Sequence, residues 1–429
     1  MSAETHSLER IAATAPESAD TVRYVTRQPI LDLHNRVHAY SLLFSDGPAT
    51  LFHSDREAAA RTMIDNAVVF GLGKLASGLP AFVQCTAQTT AETLTGDLVE
   101  MLPPQSTVLE IVDLEIADGA EPSSAMVAAC RSLRGAGYRL ALHNFIWHRG
   151  IEPLVEAAAY IKVDFSVSST LDRQILLNRL HGTTAALVAE RVETQDQFHQ
   201  AHDEGFDLVQ GYYFCRPEML ENRKIPANRF SQLEILRLLR DESVSLHKLS
   251  QLVKRDASLT YRLLRLVNSP LFAVQQEIHS VQAALLAVGE DTFRRMATIA
   301  IASDMNSGQP SELLRMAFVR GRFCELAARY CRLDCTEQYL LGLMSLLPAM
   351  LRVQMSELVS LLPLRPEIRR ALLGEKIPER RLLVWVEAYE MGEWTICDSV
   401  AESLGLGASS IMGCYQEAIV WTESALFSA

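Results

Sequence analysis

The groups in this chain that can do chemistry sit where short alternating apolar runs end. Glu110 and Asp113 close the run Thr107–Val112, and His143 and Asn144 follow Tyr138–Leu142. Lys162 and Asp164 close Tyr160–Val163, and Glu190 and Glu193 follow Ala185–Ala189. Ser41 and Gln84 hold the matching places in Val37–Phe44 and Ala81–Cys85. Carboxylates gathered in this way bind Mg²⁺ or Mn²⁺, which prefer oxygen ligands. Two such ions activate a water and clamp a phosphodiester, and a lysine beside them stabilises developing negative charge. That chemistry needs a shelf of acids, which two aspartates at 143 and 144 would supply. The chain has His143 and Asn144 there instead.

Such groups act together only if the strand ends meet, and a (β/α) barrel brings them into one mouth. From Thr21 to about Arg216, strand-like runs alternate with amphipathic helical runs, the clearest being Asp55–Leu75, Ser123–Arg134, Asp172–Leu180 and Thr194–Glu204. The first two strands, Arg23–Leu31 and Val37–Phe44, are joined by a loop too short for a helical crossover, so they are expected to be antiparallel neighbours. The later strand–helix–strand order implies parallel pairing. From Phe230 onward helical periodicity takes over. The expected organisation is a disordered tail over 1–20, an α/β barrel over 21–218, a linker over 219–228 and an all-α domain over 229–429.

A net charge of −12 excludes general nucleic-acid binding, which needs a basic footprint. No apolar run is long enough to span a bilayer, and the first twenty residues lack a signal-peptide pattern. The eight cysteines form no CxxC pair, as expected of reduced thiols in a cytoplasmic protein. His34 and His38, and His199 and His202, are read as solvated pairs, and the Arg-rich segment Arg315–Arg332 as a solvated helix face. A mouth histidine without a second histidine nearby is more often hydrogen-bonded than a metal ligand, so His143 is read the same way.

Gln28-Pro29-Ile30, Leu109-Glu110-Ile111, Ile161-Lys162-Val163-Asp164, Ala189-Glu190-Arg191-Val192-Glu193-Thr194 and Gln210-Gly211-Tyr212-Tyr213-Phe214-Cys215-Arg216-Pro217 run in one order over about two hundred residues. In these segments the first domain resembles an EAL domain, a family that hydrolyses cyclic di-GMP with two metals on a TIM-like barrel. The resemblance implies that the signature glutamate falls on Ser41, a phosphate-contacting arginine on Ser45, a metal-binding asparagine on Gln84 and the paired aspartates on His143 and Asn144. Glu110, Lys162, Glu190 and Glu193 remain. Such a site holds too little negative charge for two hard cations. The expectation is therefore no phosphodiesterase activity, no metal and no cofactor, with Lys162 and Glu190 pairing across the mouth. Two alternatives stay open. One is a receptor that binds cyclic di-GMP without hydrolysis, using Gln28, Glu110, Lys162 and Glu193. The other is a metal-dependent phosphodiesterase with an altered site, which requires His143 as a ligand.

Asp256-Ala257-Ser258-Leu259-Thr260, Leu263-Leu264-Arg265-Leu266-Val267-Asn268-Ser269 and Ala283-Ala284-Leu285-Leu286-Ala287-Val288-Gly289 resemble an HDOD domain. The His-Asp pair of HD phosphohydrolases falls on Ser345 and Leu346, and no histidine follows His279, so no metal site of that type can be assembled. Tyr389-Glu390-x-Gly392-x-Trp394 also fits the combined EAL–HDOD proteins, which are bacterial signalling regulators. The resemblance implies a non-catalytic regulator in cyclic di-GMP signalling, acting through an unidentified protein partner and forming a homodimer, with no nucleic-acid polymer and no membrane as partner.

Overall fold

The computed structural model of the chain describes residues 24–45, 72–85, 102–112, 122–215, 244–254, 257–268, 278–306, 310–361 and 364–427, with isolated positions between 232 and 239. The expected tail and linker, Asp113, and most of the expected helix at Asp55–Leu75 lie outside the described residues.

Eight strands close into a barrel in sequence order: β1 Tyr24–Asp32, β2 Val37–Ser45, β3 Ala81–Cys85, β4 Thr107–Ile111, β5 Arg139–Leu142, β6 Tyr160–Asp164, β7 Ala186–Glu190 and β8 Leu208–Gln210. β1 is antiparallel to both β2 and β8, and the other neighbours are parallel. The β1–β2 turn is fixed by Asp32, whose carboxylate accepts the backbone N–H groups of His34 and Arg36 while Asn35 takes a left-handed φ of +60°. Asparagine tolerates that conformation better than most residues.

Helices Thr170–Leu180 and Gln195–Glu204 follow β6 and β7, and each begins at a capping box, Ser169 with Asp172 and Thr194 with Gln197. The boxes start each helix a few residues beyond the barrel mouth, where they satisfy backbone N–H groups that would otherwise lack partners.

Side chains alternate across each strand, so every second residue enters the barrel. Each strand gives one residue to an inner apolar cluster: Ile30, Ala39, Phe82, Val108, Ala141, Tyr160, Val188 and Leu208. This layer seals the barrel below the mouth. At the β7–β8 end, Gly211 allows close passage of the Val192 backbone: a Cβ there would overlap the Val192 carbonyl oxygen and lie 2.6 Å from its nitrogen. The chain has little room to give, because the Val192 N–H donates to Gln210 and the Tyr213 N–H donates back to Val192. Gly211→Ala is expected to destabilise the protein by about 1–3 kcal/mol through overpacking. An unchanged thermal midpoint would mean that this crossing yields freely.

Because β1 and β2 are joined by a turn, no crossover helix lies between them in the chain, and none among the described residues covers their outer face. The helical domain does. Tyr40 of β2 donates its hydroxyl proton to Glu312 at 2.7 Å, and its ring packs against the guanidiniums of Arg27 and Arg315, 4.7 and 5.0 Å from the ring centre. Both arginines also reach Glu423. A single hydrophobic core runs from the barrel exterior into the helical domain. There Phe323, Trp385, Tyr389 and Tyr415 pack ring against ring. Helices Ser311–Cys331 and Cys335–Met344 cross closely at Gly321 and Gly342, where a Cβ on Gly342 would meet Gly321's nitrogen at 2.7 Å.

Two sequence expectations change here. Arg315 and Arg320 of the Arg-rich helix are buried against acids and not solvated, whereas Arg329 and Arg332 are exposed as expected. His38 is half-buried and shares a hydrogen bond with the Tyr160 hydroxyl at 3.1 Å. Among the described residues, no helix is long and apolar enough to cross a membrane.

Candidate functional site at the barrel mouth

Two residues beyond the apolar layer, the same inward alternation delivers a polar ring: Gln28, Ser41, Gln84, Glu110, His143, Lys162, Glu190 and Gln210, again one from each strand or its end. Register aligns Gln28 with Ser41, and Gln84 with Glu110.

The centre of the ring is charged and buried. The Lys162 ammonium lies 2.5 Å from Oε1 of Glu110 and 2.5 Å from Oε1 of Glu190, with only 1% of its side chain exposed. His143 Nδ1 lies 2.7 Å from Glu110 Oε1 and 3.3 Å from Glu190 Oε2. The imidazole therefore carries its proton on Nδ1 and donates it to Glu110. Two carboxylates against one ammonium leave the cluster one charge short of neutral, and a protonated His143 would close that gap. Burial alone would depress the histidine's pKa, but the hydrogen bond to Glu110 and the charge of Glu190 overcome it and hold the pKa above the usual value. Burial alone would likewise raise the Glu110 carboxyl, but Lys162 and His143 together bring it down. Buried charges persist when each is paired in this way.

The backbone turns sharply after two of these groups. Asn144, next to His143, has φ +44°, and Arg191, next to Glu190, has φ +55°. Left-handed backbone at non-glycine residues is uncommon and clusters at functional sites. Arg191 is held there by Asp164 at 3.2 Å. The turns also separate residues that are adjacent in sequence. Asn144 is exposed and stands outside the cluster, as does Glu193, an exposed loop residue whose backbone N–H donates to the Gln197 side chain. Ser45 lies at the end of β2 opposite Tyr24, and its side chain is outside the described residues. Ser345 and Leu346 lie far from the mouth in sequence and belong to the helical core, Leu346 buried and Ser345 donating to the Gly342 carbonyl. In the sequence, Gln210 and Tyr212 stand out only as parts of a motif. Counting two residues on from inward-facing Leu208 was the signal that would have placed Gln210 in the ring.

Glu110, His143 and Glu190 each offer a ligand atom, and these atoms lie within 4.8 Å of one another. Among the described residues, the fully buried Oε2 of Glu110 has no hydrogen-bond partner, and neither does buried Ser41 Oγ. One nitrogen and two carboxylates suit a single Mn²⁺ or Zn²⁺. They do not suit two hard cations, because Lys162 already occupies one oxygen of each glutamate. The donor set fits one ion.

The raised pKa of His143 sets a pH dependence with two opposite signs. Its contribution to folding is fully present below about pH 6.5 and is lost as pH rises through the higher folded-state pKa. A cation needs the neutral imidazole, so its affinity should strengthen as pH rises above about 6.5. Mn²⁺ titrations across that range in wild type and His143→Gln would test this. Equal slopes in both proteins would remove His143 as a ligand.

Comparison with known proteins bears on the whole chain. Residues 225–358 match the HDOD domain. The chain is 28% identical over 410 residues to the uncharacterized protein YuxH of Bacillus subtilis (strain 168), covering 93% of this chain and 97% of that one. It is 29% identical over 408 residues to the cyclic di-GMP phosphodiesterase CdgJ of Vibrio cholerae serotype O1 (strain ATCC 39315 / El Tor Inaba N16961), covering 93% and 92%. An EAL domain protein from Listeria monocytogenes EGD-e aligns with a TM-score of 0.36 at 18% identity, over 46% of this chain and 88% of that one. The relation to CdgJ corrects the expectation that this chain is not an enzyme. The physical reason is in the mouth: the charge argument weighed two ions only, whereas Glu110, His143 and Glu190 place three ligand atoms within 4.8 Å of one another.

Proposed function

From the premise that this chain is an EAL–HDOD protein of cyclic di-GMP signalling, we propose that its barrel mouth is a metal-dependent cyclic di-GMP phosphodiesterase site with an altered ligand set. The observation that carries this reading is the convergence of Glu110, His143 and Glu190 around a buried carboxylate oxygen that lacks a partner. These three residues would hold one divalent cation, which when bound supplies Lewis-acid polarisation of a phosphodiester oxygen. Lys162 fixes the two glutamates and sets a positive charge beside them. Gln28, Gln84 and Gln210 line the rest of the ring with neutral groups able to hydrogen-bond a nucleotide. The inner apolar layer closes the floor.

The test is incubation of the full chain with cyclic di-GMP and Mn²⁺, with products separated by chromatography. Linear dinucleotide is the expected product, lost on chelation and in Glu110→Gln. Intact nucleotide at every metal tried would sink the phosphodiesterase reading.

A second reading concerns the helical domain. Tyr261 and Leu286 are exposed by 68% and 86% on two helices that pack together, Ala257–Val267 and Val281–Val288. Contiguous apolar patches mark contact surfaces, and these two side chains would belong to one if their neighbouring helices present them together. This domain would signal by binding a protein, with a second copy of the chain the simplest partner. Light scattering that returned only the 47.7 kDa monomer would exclude the homodimer.

A further inference from the structure

The segment Tyr389-Glu390-x-Gly392-x-Trp394 takes no part in the barrel's charged cluster, yet it is where the helical domain meets the mouth. Helix Arg381–Met391 ends here, and Gly392 follows it at φ +76°. A Cβ on Gly392 would stand 3.4 Å from Leu43 of β2. The last carbonyls of a helix have no partner within it and need one from outside. The Glu390 carbonyl receives its hydrogen bond from the barrel, from the Tyr212 hydroxyl. The Glu390 side chain is held in turn by Arg320, whose Nε and Nη2 donate to both carboxylate oxygens at 2.6–3.1 Å. Arg320 Nη1 also donates to Ser345 at 3.1 Å.

On the barrel side, the Gln28 amide nitrogen approaches the Tyr212 oxygen at 3.5 Å, and the Gln210 amide donates to Gln28 Oε1 at 3.0 Å. The donors thus run head to tail from Gln210 through Gln28 and Tyr212 to Glu390. A phenol has one proton to give. Because Tyr212 gives it to Glu390, the oxygen faces Gln28 as an acceptor, and Gln28 must turn its N–H group, not its carbonyl, toward it. The helical domain thereby decides which way round the Gln28 amide sits in the ring.

We infer that Tyr212 is a positioning residue through which the helical domain sets the orientation of Gln28, so that occupancy of the mouth and the state of helix Arg381–Met391 are coupled. The inference rests on the reading of the mouth as a cyclic di-GMP site. Coupling of this kind runs both ways: what steadies Gln28 steadies the end of the helix.

Hydrogen exchange followed by mass spectrometry tests this in the full chain. Tyr212→Phe is the variant, because it removes the hydroxyl and keeps the ring's packing. With Mn²⁺ and cyclic di-GMP kept in saturating excess throughout labelling, exchange in residues 381–391 should slow by about fivefold or more in wild type. In Tyr212→Phe that slowing should vanish. Persistence of the slowing in the variant, or its absence in a wild type that binds nucleotide, overturns the coupling. A wild type that binds no cyclic di-GMP would refute the proposed function, and the nucleotide-free comparison then decides the coupling by itself. Faster exchange of both 24–32 and 381–391 in Tyr212→Phe supports it, and a change in one or neither overturns it.

Discussion

Lys162→Met is expected to destabilise the protein by about 3–5 kcal/mol at neutral pH, because it leaves two buried carboxylates without their shared cation. Methionine roughly preserves the length of the side chain, so the loss is one of charge more than of volume. Glu110 is fully buried and Glu190 nearly so, and His143 alone would remain to offset them. The deficit should narrow on acidification. Lys162 helps hold the Glu110 pKa down, and a carboxylate of depressed pKa stabilises the fold above its unfolded value and loses that contribution as pH falls through the folded one. The difference between variant and wild type is therefore full at pH 7 and shrinks below about pH 4.

The same substitution should change how the mouth treats metal. Without the ammonium, Glu110 and Glu190 each recover an oxygen, and the cluster gains a full negative charge. Mn²⁺ should then raise the thermal midpoint of Lys162→Met more than that of wild type, by mass action on the folded state. Urea unfolding at pH 7 and pH 4, with and without Mn²⁺, reads both effects. A variant as stable as wild type at pH 7 would mean that the glutamates are already neutral, and the charged cluster would have to be abandoned.

How legible this was in the sequence depends on the residue. Strand alternation and the short loop after Asp32 were enough for a barrel with an antiparallel start, because both are local properties of the chain. Glu110, His143, Lys162 and Glu190 were legible as mouth residues for the same reason. So was the pairing of Lys162 with Glu190 across the mouth; the exclusion of Asn144 and Glu193 was not. It depends on left-handed turns at Asn144 and Arg191, which carry each neighbouring side chain out of the ring, and a sequence does not announce backbone of that kind at an arginine. Glu193 stood beside Glu190 on paper and is exposed on a loop in the fold. The junction between the domains was still less legible. Arg315 and Arg320 lie on a helix whose charges read as solvated, yet Arg315 is buried against Tyr40 on the outer face of β2 and Arg320 within the helical domain against Glu390. That face is a consequence of the hairpin: where no crossover helix returns, another part of the chain must cover the strands.

Arg320→Met carries the other large expected effect, about 3–5 kcal/mol, again by leaving a buried acid unpaired. Glu390 has 5% of its side chain exposed, and burial pushes its carboxyl up against the opposing pull of Arg320. Glu387, 3.7 Å from Arg320 and 26% exposed, lies close to water and gains little from the pair. The cost should therefore fall almost wholly on Glu390, and a second substitution should recover it. Arg320→Met combined with Glu390→Leu removes both charges and fills the space with apolar atoms, an exchange that is often near neutral for buried ion pairs. The four proteins form a cycle whose coupling term isolates the pair from its surroundings. Because Tyr212 bonds the Glu390 backbone carbonyl and not its carboxylate, the double variant keeps the hydrogen bond between barrel and helix. It should unfold near wild type in urea while single Arg320→Met unfolds far earlier. If the single variant lies within about 1 kcal/mol of wild type, the pair behaves like an exposed ion pair and does not anchor the junction. If the double variant is as weak as the single one, Arg320 matters through Ser345 and the crossing at Gly342 and not through Glu390.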